Sequence, residues 1–280
     1  MTTVLIAAHN EEAVIGGTLD GLLTGGSAES LEVIVAANGC TDGTVTVARR
    51  RSVEVVEVAA AGKAAALNAA ERRATGYPRV YLDADIQLDK AAIERLSESL
   101  RPAPGDSGRP LVAVPARTVD VSASSRWVRM YYRVHALHPS YATGLFGRGA
   151  VAVSEAGRAR FAEFPEVIAD DLFLDSLFDE TEARHLDDVV SVVVAVRSTR
   201  SLVRRLARVR RGNAQLRAAD SAGVVRQAVG VRWLTAAVRA DPALALATAV
   251  YVAVTVVAEA RARWGRGHWE SERNGGVIEP

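Results

Sequence analysis

Val80-Tyr81-Leu82-Asp83-Ala84-Asp85 joins an apolar, strand-like run to two carboxylates one residue apart. Side chains at i and i+2 of an extended segment point to the same side. Acidic groups so placed at a strand's exit can share one divalent cation, or hold a metal and a ribose hydroxyl together. Magnesium and manganese suit this role, being hard ions that take carboxylate oxygens and bridge to substrate phosphates. A lone Asp-x-Asp also arises in surface loops, so its weight comes from the sequence before it.

That sequence alternates. Val4–Ala8 reads as a short buried strand, and Ala13–Leu23 has helical spacing and ends in Gly25-Gly26. Glu32–Ala37 reads as a second strand, followed by the turn-rich Asn38-Gly39-Cys40-Thr41-Asp42-Gly43. Thr44–Arg51 is helical, Val53–Val58 a third strand, Lys63–Thr75 an Ala-rich helix and Arg79–Leu82 a fourth strand. Strands alternating with helices predict a parallel sheet covered by helices on both faces. Ligands of such sheets bind outside the carboxyl ends of the strands. His9-Asn10-Glu11-Glu12, Asn38-Gly39 and Asp83-x-Asp85 all fall at such ends, and Lys63 falls in the loop or first turn after the third strand.

Each loop offers a chemistry. Glu11 can accept hydrogen bonds from a base or ribose, or simply complement a helix dipole. Asn38 can read a base edge, because its amide both donates and accepts, or only form a turn. Asp42 is expected to cap the helix at Thr44. Lys63 can pair with phosphate, or be an exposed lysine at a helix start.

Composition narrows the class. A chain of 280 residues with 49 % apolar residues can bury a substantial core, and a net charge of +1 gives no global argument for nucleic acid. The single cysteine, Cys40, excludes an internal disulfide and a multi-cysteine zinc site. The chain opens on a strand pattern with no basic n-region or cleavage site, so no signal peptide is expected.

Four segments taken in order, Ala8-His9-Asn10-Glu11-Glu12, Asn38-Gly39-Cys40-Thr41-Asp42-Gly43-Thr44, Gly62-Lys63-Ala64-Ala65-Ala66-Leu67-Asn68 and Asp83-Ala84-Asp85, resemble the N-terminal half of family 2 glycosyltransferases. The resemblance implies an α/β fold of the GT-A type, Rossmann-like, with a mixed sheet flanked by helices and a C-terminal helical extension. It implies that Ala8, Glu11, Asn38 and Asp83 line a nucleoside pocket, that Lys63 sits near it, and that Asp85 binds a divalent metal, Mn2+ or Mg2+. The family usually has Pro at Ala7 and, at Asn38, an Asp that faces the uracil N3–H. Asn can accept that hydrogen bond through its carbonyl oxygen, so a UDP-sugar remains the first expectation.

The second half should hold the acceptor and the chemistry. Ala113–Pro115 reads as a strand and Ser125–His138 as a helix carrying Trp127, Tyr131 and Tyr132. Gly144, Gly147 and Gly149 space a loop before the strand-like Ala150–Ser154, permitting close backbone approach to a ligand or only tight turns. Asp170-Asp171 precedes an apolar helix and would complement its dipole. Such a carboxylate can also deprotonate an acceptor hydroxyl, its pKa raised by the neighbouring acid. The family carries Glu-Asp here with Asp as general base, which transfers that role to Asp171.

A strand is expected at Val189–Val196, followed by an arginine-rich helix. Arg205 and Arg208 share one helical face, where guanidinium groups could grip phosphate. They stand where many family members carry a Gln-x-x-Arg-Trp-like motif over the diphosphate. A solvated basic helix, or one on anionic lipid, reads equally well, with Arg204, Arg210 and Arg211 fitting that role best. Ala243–Ala258 contains no charged residue and precedes Arg261, Arg263, Trp264 and Trp269. It is shorter than the roughly 20 residues of a membrane span. A packed helix, an oligomer contact and a membrane surface stay open for it, and the end from Asn274 to Pro280 reads as frayed.

These readings give a catalytic domain over 1–200 (a nucleotide-binding half, 1–110, and an acceptor half, 111–200) and a helical extension over 201–280. They predict an inverting hexosyl- or N-acetylhexosaminyl-transferase, with a nucleotide-sugar and a hydroxyl acceptor as partners and no nucleic acid. They place it in the cytoplasm, with contact at the inner face of the membrane through 201–264, or self-association, as further expectations. A dinucleotide dehydrogenase fails because no Gly-x-Gly-x-x-Gly follows Val4–Ala8. A nucleotidyltransferase would carry a glycine-rich phosphate loop there, and a sugar-nucleotide-binding protein with a degenerate site would bind without turnover.

Overall fold

The computed structural model describes residues 1–25, 31–101, 110–166, 169–220 and 223–264. Gly26, Val167, Ile168, Trp269 and the frayed end expected from Asn274 to Pro280 lie outside the described residues.

The strands are β1 (Thr2–Ala8), β2 (Leu31–Asn38), β3 (Glu54–Val58), β4 (Arg79–Asp83), β5 (Val112–Asp120), β6 (Ala150–Val153) and β7 (Ala183–Val194). They form one sheet in the order β3-β2-β1-β4-β6-β5-β7. The helices are α1 (Ile15–Leu23), α2 (Thr44–Arg49), α3 (Lys63–Glu71), α4 (Lys90–Glu98), α5 (Arg126–His135), α6 (Ser140–Thr143), α7 (Glu155–Arg158), α8 (Asp170–Asp175), α9 (Thr199–Ala219), α10 (Arg232–Ala240) and α11 (Ala245–Trp264). The described chain divides into two compact units.

The first unit covers Met1–Thr118, Leu145–Glu166 and Leu174–Val193. Its β3, β2, β1 and β4 are parallel, as the alternation predicts. The register pairs Ala8 with Ala37, Ala7 with Asp83 and Asn38 with Val58, so these strands end level with one another. β6 then runs antiparallel to β4, with Leu82 opposite Ala150, and β5 runs antiparallel to β6. The sheet is therefore mixed. Local periodicity cannot report strand direction, because an apolar run reads alike both ways. β7 starts at Ala183, earlier than expected, and from Val189 on it buries Val189, Ser191 and Val193 on one side, with Val190, Val192 and Val194 exposed on the other. That alternation is the period of a sheet edge with one covered face.

Helix α1 buries Ile15, Leu19 and Leu22, and its Thr18 hydroxyl donates to the Ala84 carbonyl at 2.8 Å. The small residues Ala64, Ala66 and Ala70 on α3 are buried and let it lie close on β1 and β2. Two polar clusters secure the strand ends remote from Asp83. Glu32 accepts from the Thr3 hydroxyl, from Thr75 N at 2.8 Å and from the Thr75 hydroxyl at 2.9 Å. Burial pushes its carboxyl up, but those bonds and a Gly76 N–H outweigh burial and hold it below the ordinary glutamate value. Glu71 is 8 % exposed and faces Arg79 at 3.5 Å and Arg158 at 3.1 Å, and accepts from the Tyr81 hydroxyl at 2.7 Å. Burial, with the Glu71 charge beside it, pushes the Tyr81 phenol well above its usual value.

The second unit covers the described parts of Val119–Gly144, Val167–Phe173 and Val194–Pro280. Its core joins Val128, Tyr131, Tyr132 and Val134 of α5 to Leu202 of α9, Leu234 of α10 and Ala247, Tyr251 and Val254 of α11. Tyr131 stacks on Tyr251 at 4.9 Å between centroids. The aromatic residues of α5 thus divide: Tyr131 and Tyr132 are core, and Trp127 is 40 % exposed. Ser198 caps α9, its hydroxyl oxygen accepting from Ser201 N at 3.2 Å.

Candidate functional site

In the first unit the carboxyl ends of β1, β2 and β4 and the start of α3 bring Ala8, Glu11, Asn38, Lys63, Asp83 and Asp85 to one end of the parallel strands. Their mutual bonds are specific. The Asn38 side chain is 2 % exposed. Its amide nitrogen donates to the Ala8 carbonyl at 2.9 Å, and its amide oxygen accepts from Gly62 N at 3.0 Å. One side chain therefore ties the ends of β1 and β2 to the loop that launches α3. His9 Nδ1 donates to the Asn38 carbonyl at 2.5 Å. Gly39 has φ +55°, and a Cβ there would stand 2.9 Å from Ala61 N, so this turn requires glycine.

The loop after β1 is built against the loop after β2. Asn10 sits in the left-handed region at φ 57°, which Asn tolerates better than most residues. Its side-chain oxygen accepts from Thr41 N at 2.8 Å. Glu11 N donates to the Thr44 hydroxyl oxygen at 2.8 Å, and Gly43 N donates to Glu12 Oε2 at 2.9 Å. Asp42 accepts from Thr44 N at 3.1 Å and from Glu12 N at 3.3 Å. The residue at the helix N-cap is Gly43, so Asp42 braces two loops as well as the first turn of α2. Asn10, Glu12 and Thr44 lie in the segments quoted from the sequence, which assigned them no individual role. The repeated pattern of side-chain oxygens facing turn glycines was their only signal.

Lys63, the first residue of α3, pairs with Asp83: Nζ lies 2.6 Å from Oδ1, with the two side chains 37 % and 42 % exposed. The backbone of Asp83 is held from the other side, its N–H donating to the Gly149 carbonyl at 2.8 Å. Gly149 has φ +72°, and a Cβ there would stand 2.3 Å from Ile86 Cγ1. Of the three spaced glycines, this one is fixed by close approach to the Asp83 strand exit. Asp175 is 5 % exposed and accepts from Leu145 N at 2.9 Å, pinning the same loop within the unit. Sequence reading passed over Asp175, since a helical aspartate carries no mark of burial.

Asp85 is exposed, two residues beyond Asp83. No group of three or more His, Cys, Asp or Glu side chains able to hold a metal occurs among the described residues. The donor set still fits a hard cation. One exposed carboxylate suffices when the remaining oxygens come from substrate phosphates and water, the usual arrangement for Mg2+.

Asp171, Arg205 and Arg208 belong to the second unit. Asp170 and Asp171 stand in the first turn of α8, both half-buried, where they complement the helix dipole. Asp171 Oδ1 accepts from Leu172 N at 2.8 Å. Arg205 and Arg208 are half-buried on α9. Their neighbour Arg210 pairs with Glu259 of α11 at 3.2 Å.

Residues 3–134 match the model of glycosyl transferase family 2. That stretch, just under half of the chain, is similar to this family. The chain is a glycosyltransferase with the GT-A fold, a type whose donors are nucleotide-sugars. Solved structures share the fold. A mannosyltransferase, PcManGT, from Pyrobaculum calidifontis in complex with GDP-Man and Mn2+ aligns with a TM-score of 0.64 at 21 % identity, over 95 % of this chain and 88 % of that one. Glucosyl-3-phosphoglycerate synthase from Mycobacterium tuberculosis, with phosphoglyceric acid, aligns with a TM-score of 0.55 at 20 % identity, over 78 % and 79 %. TarS 1-349 of S. aureus, with UDP, aligns with a TM-score of 0.51 at 14 % identity, over 95 % and 92 %. No curated protein matches the sequence.

Proposed function

We propose that this glycosyltransferase moves a hexosyl or N-acetylhexosaminyl group from a UDP-sugar to an acceptor hydroxyl, with inversion and with a divalent metal. The observation that carries the reading is the meeting of four chain segments in the first unit. Asn38 joins the ends of β1 and β2 to the start of α3, and Lys63 joins that start to Asp83. Ala8, Glu11, Asn38, Lys63 and Asp83 line the nucleoside side of the donor in this proposal. Asp85 holds Mn2+ or Mg2+, which supplies the positive charge that a leaving diphosphate needs. Support for the metal comes from the Mn2+ in the mannosyltransferase complex.

Asp171 takes the proton from the acceptor hydroxyl as that oxygen attacks the anomeric carbon, so the sugar inverts in a single displacement. Arg205 and Arg208 hold the diphosphate by charge-assisted hydrogen bonds. Residues 1–200 form the catalytic domain and 201–280 the helical extension, and the protein works in the cytoplasm.

The test is a thermal-shift panel of UDP- and GDP-sugars with and without Mn2+, followed by donor turnover. A bound ligand raises the apparent midpoint by mass action. UDP-sugars with Mn2+ should give the largest shift, and Asp85→Ala should remove the Mn2+ dependence. Asp171→Asn should retain the shift and lose turnover by more than about 100-fold. A shift with GDP-sugars alone would refute the choice of uridine. Unchanged turnover in Asp171→Asn would refute the base.

A further inference from the structure

Among the described residues, one helical stretch, Pro242–Trp264, is long and apolar enough to cross a membrane, and only 28 % of its most apolar window is buried. A helix serving only as core would be mostly buried. Here one face is core: Ala247, Tyr251, Val254 and Ala258 pack toward α5 and α9. The opposite face is apolar as well. Leu246 is 61 % exposed, Val252 41 %, Val256 60 %, Val257 54 % and Trp264 85 %. With Ala249 and Ala253 they recur at three- and four-residue intervals, so they form one stripe along the helix. At 1.5 Å per residue the helix is roughly 30 Å long, and the Leu246–Val257 part of the stripe covers about 18 Å of it.

Its flanks are cationic. Arg261 and Arg263 close the helix beside Trp264, and exposed Arg232 and Arg239 lie on α10. In 199–264 the only acids are Asp220, Asp241 and Glu259. Asp241 pairs with Arg133 at 3.5 Å, and Glu259 with Arg210 and Arg263 at 3.2 and 3.0 Å. Exposed apolar residues continue on the approach to α10, where Val224 is 60 % and Val231 73 % exposed. An apolar stripe ending in Trp and rimmed by arginine has the composition of a helix lying in a lipid interface.

We propose that α11 lies flat on a membrane surface bearing anionic lipids, its Leu246–Val257 stripe among the acyl chains and the arginines at the phosphates. A spanning position is inconsistent with the packing. α9 runs against α11 and carries Arg204, Arg205, Arg208, Arg210 and Arg211, whose entry into hydrocarbon would be expensive. The inference stands apart from the choice of donor and base.

The full chain is tested by flotation with phosphatidylcholine vesicles, with and without phosphatidylglycerol, across a salt series. The expected result is binding to the phosphatidylglycerol vesicles that weakens with salt and is released by alkaline carbonate. Val256→Asp with Val257→Asp should lower partitioning at least about tenfold, since lipid binding scales with buried apolar area. Both sites are exposed, so the thermal midpoint should not move. The proposal is overturned by equal flotation of that variant, by equal binding to pure phosphatidylcholine, or by release with detergent only. It is equally overturned by a dimer that the variant dissociates, which would make a second copy the occupant.

Discussion

Asn38→Asp exchanges one side-chain NH2 for oxygen, and the first unit gives its effect a size and a pH dependence. The wild-type amide has both faces engaged, donating to the Ala8 carbonyl at 2.9 Å and accepting from Gly62 N at 3.0 Å. A carboxylate would keep the Gly62 bond and place a second oxygen against the Ala8 carbonyl. One net hydrogen bond is lost, worth about 1 kcal/mol, and two acceptors now face each other in a buried place, which costs about 1–3 kcal/mol more. The sum is about 2–4 kcal/mol at neutral pH. At roughly 2–4 °C per kcal/mol for a chain of this class, the midpoint should fall by several degrees.

Protonation would restore the lost donor, so the folded variant holds a proton at this carboxyl more tightly than the unfolded chain does. A folded-state pKa raised above the unfolded one gives stability that is full below the unfolded value and is lost as pH rises through the folded value. The gap between variant and parent should therefore be widest at pH 7 and narrow as pH falls toward the ordinary aspartate range. Asn38→Ala, which also leaves Gly62 N unpaired, should be destabilised by a similar amount with no such narrowing. Urea midpoints between pH 5 and pH 8 decide the matter. An Asn38→Asp protein within about 0.5 kcal/mol of the parent at pH 7 would show that the Ala8 bond does not hold these loops.

Three further substitutions test the frame around the site. Glu71→Ala leaves Arg79 and Arg158 without the carboxylate they share, so urea denaturation should register a loss of about 3–5 kcal/mol. Gly149→Ala places a Cβ 2.3 Å from Ile86 Cγ1 at φ +72°. Strain plus overpacking predicts about 2–4 kcal/mol by the same assay. Glu32 carries a depressed carboxyl in the folded chain. Its contribution is present above the ordinary glutamate value and fades as pH falls through the folded one. Glu32→Gln should flatten the acid limb of the midpoint-against-pH curve, and an unchanged limb would assign that slope to other carboxylates.

The parallel half of the fold was legible because β1–β4 are short apolar runs whose ends are marked by polar turns. Asn38-Gly39 and Asp83-x-Asp85 stand out for that reason, and the register then sets Ala8, Asn38 and Asp83 at one edge. The direction of β6 was not legible, because Ala150–Val153 is apolar at every position and buried on both faces. What most escaped a linear reading was partnership. Asn38 reads as a residue for a base edge, and Lys63 as one for phosphate. In the folded unit the first is spent on Ala8 and Gly62, and the second lies 2.6 Å from Asp83.

The two kinds of bond differ in consequence. The Lys63–Asp83 pair is more than one-third exposed on both sides, so solvent weakens it and it contributes at most about 1 kcal/mol. A diphosphate could draw the lysine away at little cost. The Asn38 amide is buried and has no such freedom, so a base entering this edge meets a fixed surface. If a donor base enters here as proposed, the turn at Gly39 and the loop at Gly62 that Asn38 positions contribute to its selection, beside the one lone pair of the amide oxygen that Gly62 N does not occupy. Lys63→Ala and Asn38→Ala should accordingly fail in different ways. The first should weaken nucleotide-sugar binding with the midpoint unchanged within about 1 kcal/mol. The second should lose midpoint and binding together. Weakened binding at full stability in Asn38→Ala would return the amide to the role of a direct reader.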